Sequence, residues 1–352
     1  MRRVAAGLLA TLAFGVWIRW RLAGVPIHSA LEQVPFAFAR HAHSHLGYYA
    51  LLVPLAWYAW RARGHRGLKS TEALVYGIAT VLATIGFLRS GYGALAIAGS
   101  TVVAVLWIVA AWRVARTVDA RGPLALVFPG TLLSLAWIPV IAISLRRNPA
   151  LSAAAVQTFL AALMFTVVAP SALSLRGIAR HWPPLLVGLL GLGAAMALGV
   201  WPSVPARLLL AGYAVWWLAA LRSQGAIAAF PARLALPWAA AGIGLLAMSS
   251  GLVPYGHDIG IAAVHYLALG PLLAMFLDAR LGPRVAPWAW WLYQALVATF
   301  AGSIAARAFV PAAWPSQAAA VVGSAIFVWW ALALWRSAAG AGDAAHREVH
   351  AA

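Results

Sequence analysis

The chain has 352 residues, 64% of them hydrophobic and 9% charged, a balance that polar surface could not cover in a soluble domain of this length. Its 25 Lys and Arg against 7 Asp and Glu leave a formal charge of +18. The basic residues stand singly or in twos and threes between apolar runs, without the basic face or aromatic platform that nucleic-acid binding needs. Cysteine is absent, which excludes disulfides, thiolate metal sites and covalent c-type haem attachment, so any metal or haem must be held by nitrogen or oxygen.

The first apolar run follows Met1-Arg2-Arg3 as a signal peptide would, but it continues to about Trp17 without a small-x-small cleavage site and reads as a retained first helix. A spanning helix needs about 20 mostly apolar residues, and cutting at charges, Pro and Gly gives runs of that kind at 4–24, 36–60, 70–88, 93–115, 123–145, 151–175, 182–202, 205–222, 233–253, 257–277, 286–309 and 316–336. They predict an all-α integral membrane protein: one polytopic bundle of twelve transmembrane helices over 1–338, surrounded by lipid, with a polar tail over 339–352 expected to be disordered. Placing the N-terminus inside puts 17 of the 25 basic residues on the inner side, which predicts both termini in the cytoplasm of a bacterial-type inner (plasma) membrane. Most of the tryptophans, among them Trp17, Trp60, Trp290 and Trp330, fall near predicted helix ends, where indoles anchor at the membrane interface.

The ten histidines are unevenly placed. His28, His41, His43, His45, His257 and His265 fall in the outer half under this topology, His65 and His181 lie at inner loops, and His346 and His350 on the tail. The second helix starts near Pro35, so His41 lies about 9 Å along its axis. On a regular helix His41 and His45 point about 40° apart, while His43 points about 160° away from either. The three cannot share one metal: either His41 and His45 act as a pair or His43 acts alone toward another helix.

The tenth helix enters from the same side with "VPYGHDIGIAAVHYLALGPLLAMFLDARLG", residues 253–282. His265 lies about 12 Å deeper than His257 by helical rise. An imidazole buried there without a partner costs about 2 kcal/mol or more, which marks it as functional. Asp258 is placed as an N-terminal helix charge beside His257 or as an orienter for a histidine of the second helix. Two helices bringing histidines from one side can hold a haem iron through His41, His43 or His45 and His265. Alternatively they build a copper or zinc site from His41, His45, His257 and His265. Gly47, Gly256, Gly260 and Gly270 would leave room for a planar macrocycle, and Tyr48 and Tyr266, with Tyr49 and Tyr255, could support the ligands.

"RHAHSHLGYYA" at 40–50 resembles the second-helix His-x-His motif of NnrS-type membrane proteins, and "VHYLALGPLLAMFLDARLG" at 264–282 resembles their late histidine helix. That family is similar in architecture to subunit I of haem–copper oxidases and is associated with haem, copper and nitric oxide metabolism. The resemblance implies twelve helices, with haem (b-type, non-covalent) or copper held by His41 or His43 and by His265. Two departures stand out: Ser44 replaces the acidic residue expected after the second histidine, and Pro283 replaces a further histidine. Helices six to nine hold no histidine apart from His181 at an inner end, and nearly all acidic residues sit at helix ends, so a proton-pumping oxygen reductase is not expected.

Three functions follow from these residues. One is a haem- or copper-binding membrane protein responding to nitric oxide or metal stress, with a membrane or redox protein as partner. Another is a transporter or metal permease with a histidine-lined outer vestibule, for which Pro54, Pro139, Pro170 and Pro271 could supply broken helices. The last is a structural partner of another membrane complex. No residue is assigned a catalytic role.

Overall fold

Apolar runs bounded by Pro, Gly and Arg have no water to satisfy their backbone groups inside a bilayer, so they close those bonds internally as helices. A computed structural model describes residues 2–27, 29–119, 122–177, 204–222, 231–253, 257–281 and 285–350, and these fold as helices and short turns with no strand among them. In chain order the helices are α1 (Arg2–Leu22), α2 (Ser29–Glu32), α3 (Phe36–Leu46), α4 (Val53–Ala62), α5 (Ser70–Ser90), α6 (Ala94–Ala115), α7 (Val127–Arg147), α8 (Pro149–Ala162), α9 (Ala169–Ser174), α10 (Val204–Ala219), α11 (Ala232–Ser250), α12 (His257–Leu267), α13 (Leu273–Leu281), α14 (Pro287–Ala306) and α15 (Trp314–His350). Seven helices are long and apolar enough to cross a membrane by length and composition: Val4–Leu22, Ser70–Ser90, Ala94–Ala115, Pro123–Ser144, Ala232–Ser250, His257–Phe276 and Trp314–Arg336. Every predicted run except 182–202, which lies outside the described residues, coincides with helix. The terminal helix continues through the polar tail as far as His350.

Three of these rods are interrupted midway by a wider π turn: Gly47–Leu52 between α3 and α4, Leu163–Val168 between α8 and α9, and Ala268–Leu272 between α12 and α13. Each has a proline within it or two residues after it, at Pro54, Pro170 and Pro271, whose missing N–H and bulky ring strain the ordinary α turn before it. Pro139 sits within an α7 that stays α-helical throughout. The residue five before each of the three prolines is aromatic: Tyr49, Phe165 and Tyr266.

Neighbouring helices press close to these interruptions. A Cβ on Gly7 of α1 would meet the Ala50 carbonyl oxygen at 2.0 Å, and one on Gly130 of α7 would meet Thr166 Oγ1 at 2.1 Å, so only glycine permits either approach. Ala50 and Thr166 each lie four residues before their proline. The Tyr76 hydroxyl of α5 donates to the Tyr49 carbonyl at 2.8 Å, and Tyr293 of α14 donates likewise to the Leu269 carbonyl.

A second repetition marks the same arrangement. "WIVAAWR" at 107–113, "WWLAALR" at 216–222 and "WALALWR" at 330–336 share Trp, Ala and Arg at matching positions, and each contains a fully buried tryptophan, Trp107, Trp217 or Trp330. Three stretches can thus be set side by side in chain order, each with a π-interrupted helix and, further on, a Trp-to-Arg segment. Trp217 and Trp238 stack at 3.8 Å, and each indole N–H donates to the other's carbonyl, at 2.8 and 2.7 Å. Trp60 donates to Ser171 Oγ at 2.8 Å. With Trp17, Trp290 and Trp330 also buried, these indoles are core residues and not the interface anchors that their positions near helix ends suggested. Trp288, Trp291, Trp314 and Trp335 remain exposed.

At the far end of α13 from His265, Asp278 is buried between two guanidiniums. It accepts from Arg176 and, at 2.6 Å, from Arg233 Nε, tying α13 to the end of α9 and the start of α11. The outward faces of α5 and α6 carry Leu74, Val75, Ile78, Val81, Ile97 and Val105 in exposed positions, as contact with lipid requires.

Candidate functional site

Pro35 holds an extended conformation immediately before α3, and the helix then runs regularly to Leu46, so its three histidines diverge by ordinary helical phase. His41 meets the Tyr92 ring edge-on with centroids 4.9 Å apart. His45 stacks on Phe87 at 3.9 Å among Tyr48, Tyr49 and Tyr92, and its Nδ1 hydrogen-bonds to the His41 carbonyl at 2.9 Å. Both therefore face aromatic groups of neighbouring segments.

His43 lies on the opposite face and looks toward His265 of α12. Their ring centres are 6.4 Å apart and their planes differ by 14°. The gap is too wide for ring contact, which in this protein brings His45 and Phe87 to 3.9 Å. With metal–nitrogen bonds of about 2.0–2.1 Å, two imidazoles on opposite sides of one ion would have ring centres about 6.2–6.4 Å apart.

The remaining hydrogen bonds suit that role. His265 Nδ1 bonds to the Ile261 carbonyl at 2.8 Å, so Nδ1 carries the proton and the Nε2 lone pair is free to bind a metal. His43 Nδ1 is buried and has no partner. Gly15 of α1 packs against this ring: a Cβ there would meet His43 Cε1 at 3.1 Å and Nε2 at 3.7 Å.

The other sequence candidates are spread around this pair. His257 is exposed at the first position of α12, and Asp258 pairs with Arg307 at 4.0 Å. Tyr48 packs edge-on against Phe159 at 5.2 Å. Tyr266 lies beside Gly270, its Cε2 3.7 Å from where a Cβ would be, and Gly47 faces Thr11 of α1. The four residues considered for a metal-ion site, His41, His45, His257 and His265, do not converge, and no group of three or more His, Cys, Asp or Glu able to hold a metal is found among the described residues. His65 hydrogen-bonds to Thr117 Oγ1 at 3.0 Å, and its basicity is lowered by partial burial and by Arg63. His28, His181, Tyr255 and Gly256 lie outside the described residues.

Two site residues escaped the sequence reading. Arg19 of α1 is only 8% exposed and stands over the Phe300 ring at 5.4 Å, while Phe300 meets the His265 ring at 5.6 Å. Gln294 of α14 is also buried, at 8%, with both side-chain polar atoms unpartnered beside Gly270. Arg19 was masked by its neighbours: in "IRWR" it reads as one of two charges at a helix end. Gln294, an uncharged amide within an apolar run, was the stronger signal.

No family model matches the chain, and neither the curated proteins nor the solved structures contain a match. The chemistry of the site therefore rests on its own geometry.

Proposed function

We propose that the protein is a polytopic membrane protein of about twelve spans, both termini cytoplasmic in a bacterial-type plasma membrane, that binds a non-covalent b-type haem between His43 and His265. The observation that carries this is the pair of near-parallel imidazoles 6.4 Å apart. Two imidazoles leave a zinc or copper(II) ion short of ligands, whereas a haem iron would ask the protein for no more than two. A metal held at His43 Nδ1 would give that buried nitrogen the partner it lacks among the described residues.

Bound haem would supply redox and small-ligand chemistry at iron, matching the nitric oxide or metal-stress role that the NnrS resemblance suggests. The protein's own part is to orient and to tune. The Ile261 carbonyl fixes the His265 tautomer, Gly15 packs against His43, and the buried Arg19 guanidinium would be available to pair with a carboxylate of such a macrocycle.

The test is the visible spectrum and metal content of protein purified from haem-sufficient cells. A Soret band is expected, lost or shifted to a five-coordinate form in His43→Ala and in His265→Ala but kept in His41→Ala. Colourless, metal-free parent protein refutes the proposal; copper without a Soret band would assign the pair to a copper ion. The three interrupted helices favour a second reading, a permease with a histidine-lined vestibule. Metal uptake into proteoliposomes, abolished by His43→Ala, would support it.

A further inference from the structure

Gln294 occupies a position that packing alone does not explain. Its side chain is nine-tenths buried in an apolar helix, and neither Oε1 nor Nε2 has a hydrogen-bond partner among the described residues. Burying such a group unpaired costs about 1–3 kcal/mol, and an apolar side chain of the same size would avoid that cost. Gly270, in the π turn Ala268–Leu272, lies beside it: a Cβ there would stand 3.7 Å from Oε1, so the missing side chain leaves about a methyl's room next to the amide. The next residue, Pro271, has no N–H to offer, and the Ala268 carbonyl of the same turn is taken by the Leu273 N–H. The neighbouring Leu269 carbonyl is already taken by the Tyr293 hydroxyl.

We infer that Gln294 and the Gly270–Pro271 turn form a binding site for one small, uncharged molecule that both donates and accepts hydrogen bonds, with water as the resident ligand. A single water meets both needs of the amide. It accepts from Gln294 Nε2 and donates to Oε1, and a buried water makes about three such bonds. A charged ligand is disfavoured because the contacts at Gly270 are an amide, a valine and a tyrosine ring: Gln294, Val297 and Tyr266. The site lies on the Asp278 side of His265, about 7 Å along the helix by helical rise. It does not depend on what His43 and His265 hold.

The test is an experimental structure of the full-length protein in lipid nanodiscs, at a resolution that shows ordered water, for the parent and for Gln294→Leu. One ordered peak about 2.7–3.2 Å from the Gln294 amide is expected in the parent, lost in the variant with the helix interruption retained. A parent in which the amide turns onto a protein group, or faces dry apolar space, overturns the inference. The parent map alone decides it if the variant does not fold, and haem content is scored separately on the same preparation.

Discussion

Gly15→Ala should separate the ligand role of His43 from its place in the packing. A methyl on Gly15 would stand 3.1 Å from His43 Cε1, so the ring must retreat by a few tenths of an ångström to restore ordinary contact. Without a bound metal that movement is inexpensive, because 6.4 Å separates His43 from the ring it faces. Alanine at this interior position of α1 also favours the helix by about 0.5–1 kcal/mol over glycine, so the metal-free protein should melt at the same temperature or slightly higher. A metal–nitrogen bond tolerates only about 0.2 Å, and displacing a ligand's support typically costs about 10–100-fold in affinity. Haem titration followed at the Soret band should therefore show binding weakened by about one to two orders of magnitude. Differential scanning fluorimetry of the metal-free variant should show no loss of stability. Equal haem affinity and an unchanged spectrum in Gly15→Ala would refute axial ligation by His43; a fall in both quantities would make the contact merely structural.

His45→Phe keeps an aromatic ring against Phe87 and should leave the spectrum unchanged, because His45 faces away from His265; loss of the Soret band would return it to the ligand set. Asp278→Asn leaves Arg176 and Arg233 without their shared anion. Breaking a buried pair costs about 3–5 kcal/mol, less here because Arg233 is one-third exposed, and the melting temperature should fall while the haem spectrum of folded protein is kept. Gly7→Ala would force a methyl into the Ala50 backbone and should lower the yield of folded protein sharply, whereas Gly77→Ala, with open space around it, should not.

The helices were legible because length and hydropathy carry them: the runs at 70–88 and 93–115 coincide with α5 and α6 to within two residues. Helical phase also separated His43 from His41 and His45, but phase alone could not say which face met α12. That depended on how α3 packs against α5 and Tyr92, which is set by contacts distant in sequence. The prolines at 54, 170 and 271 were visible as breaks, but proline alone does not separate them from Pro139, whose helix stays regular and which has Ser134 and not an aromatic five residues before it. The Trp-to-Arg repeat was readable and was missed because its three copies lie more than a hundred residues apart. Burial of Arg19 was not readable, since a charge at a helix end is ordinarily solvated.

The repeat bears on whether the histidine pair is a site or a by-product of packing. Counting back from Pro54, Pro170 and Pro271, the aromatic at five residues recurs as Tyr49, Phe165 and Tyr266, as expected of a residue that serves the architecture. Six residues before the proline the three stretches diverge to Tyr48, Met164 and His265, and eleven before it to His43, Phe159 and Gly260. Histidine thus occurs once at each of two non-equivalent positions, and the two face each other. If imidazoles were needed only to pack a π-interrupted helix, the middle stretch would need one too. It fills both positions with buried Met164 and Phe159 and packs without one. The same comparison accounts for the ligand number: the middle stretch has no histidine at either position, so two imidazoles meet in the space between α3 and α12, no more than a haem iron would take.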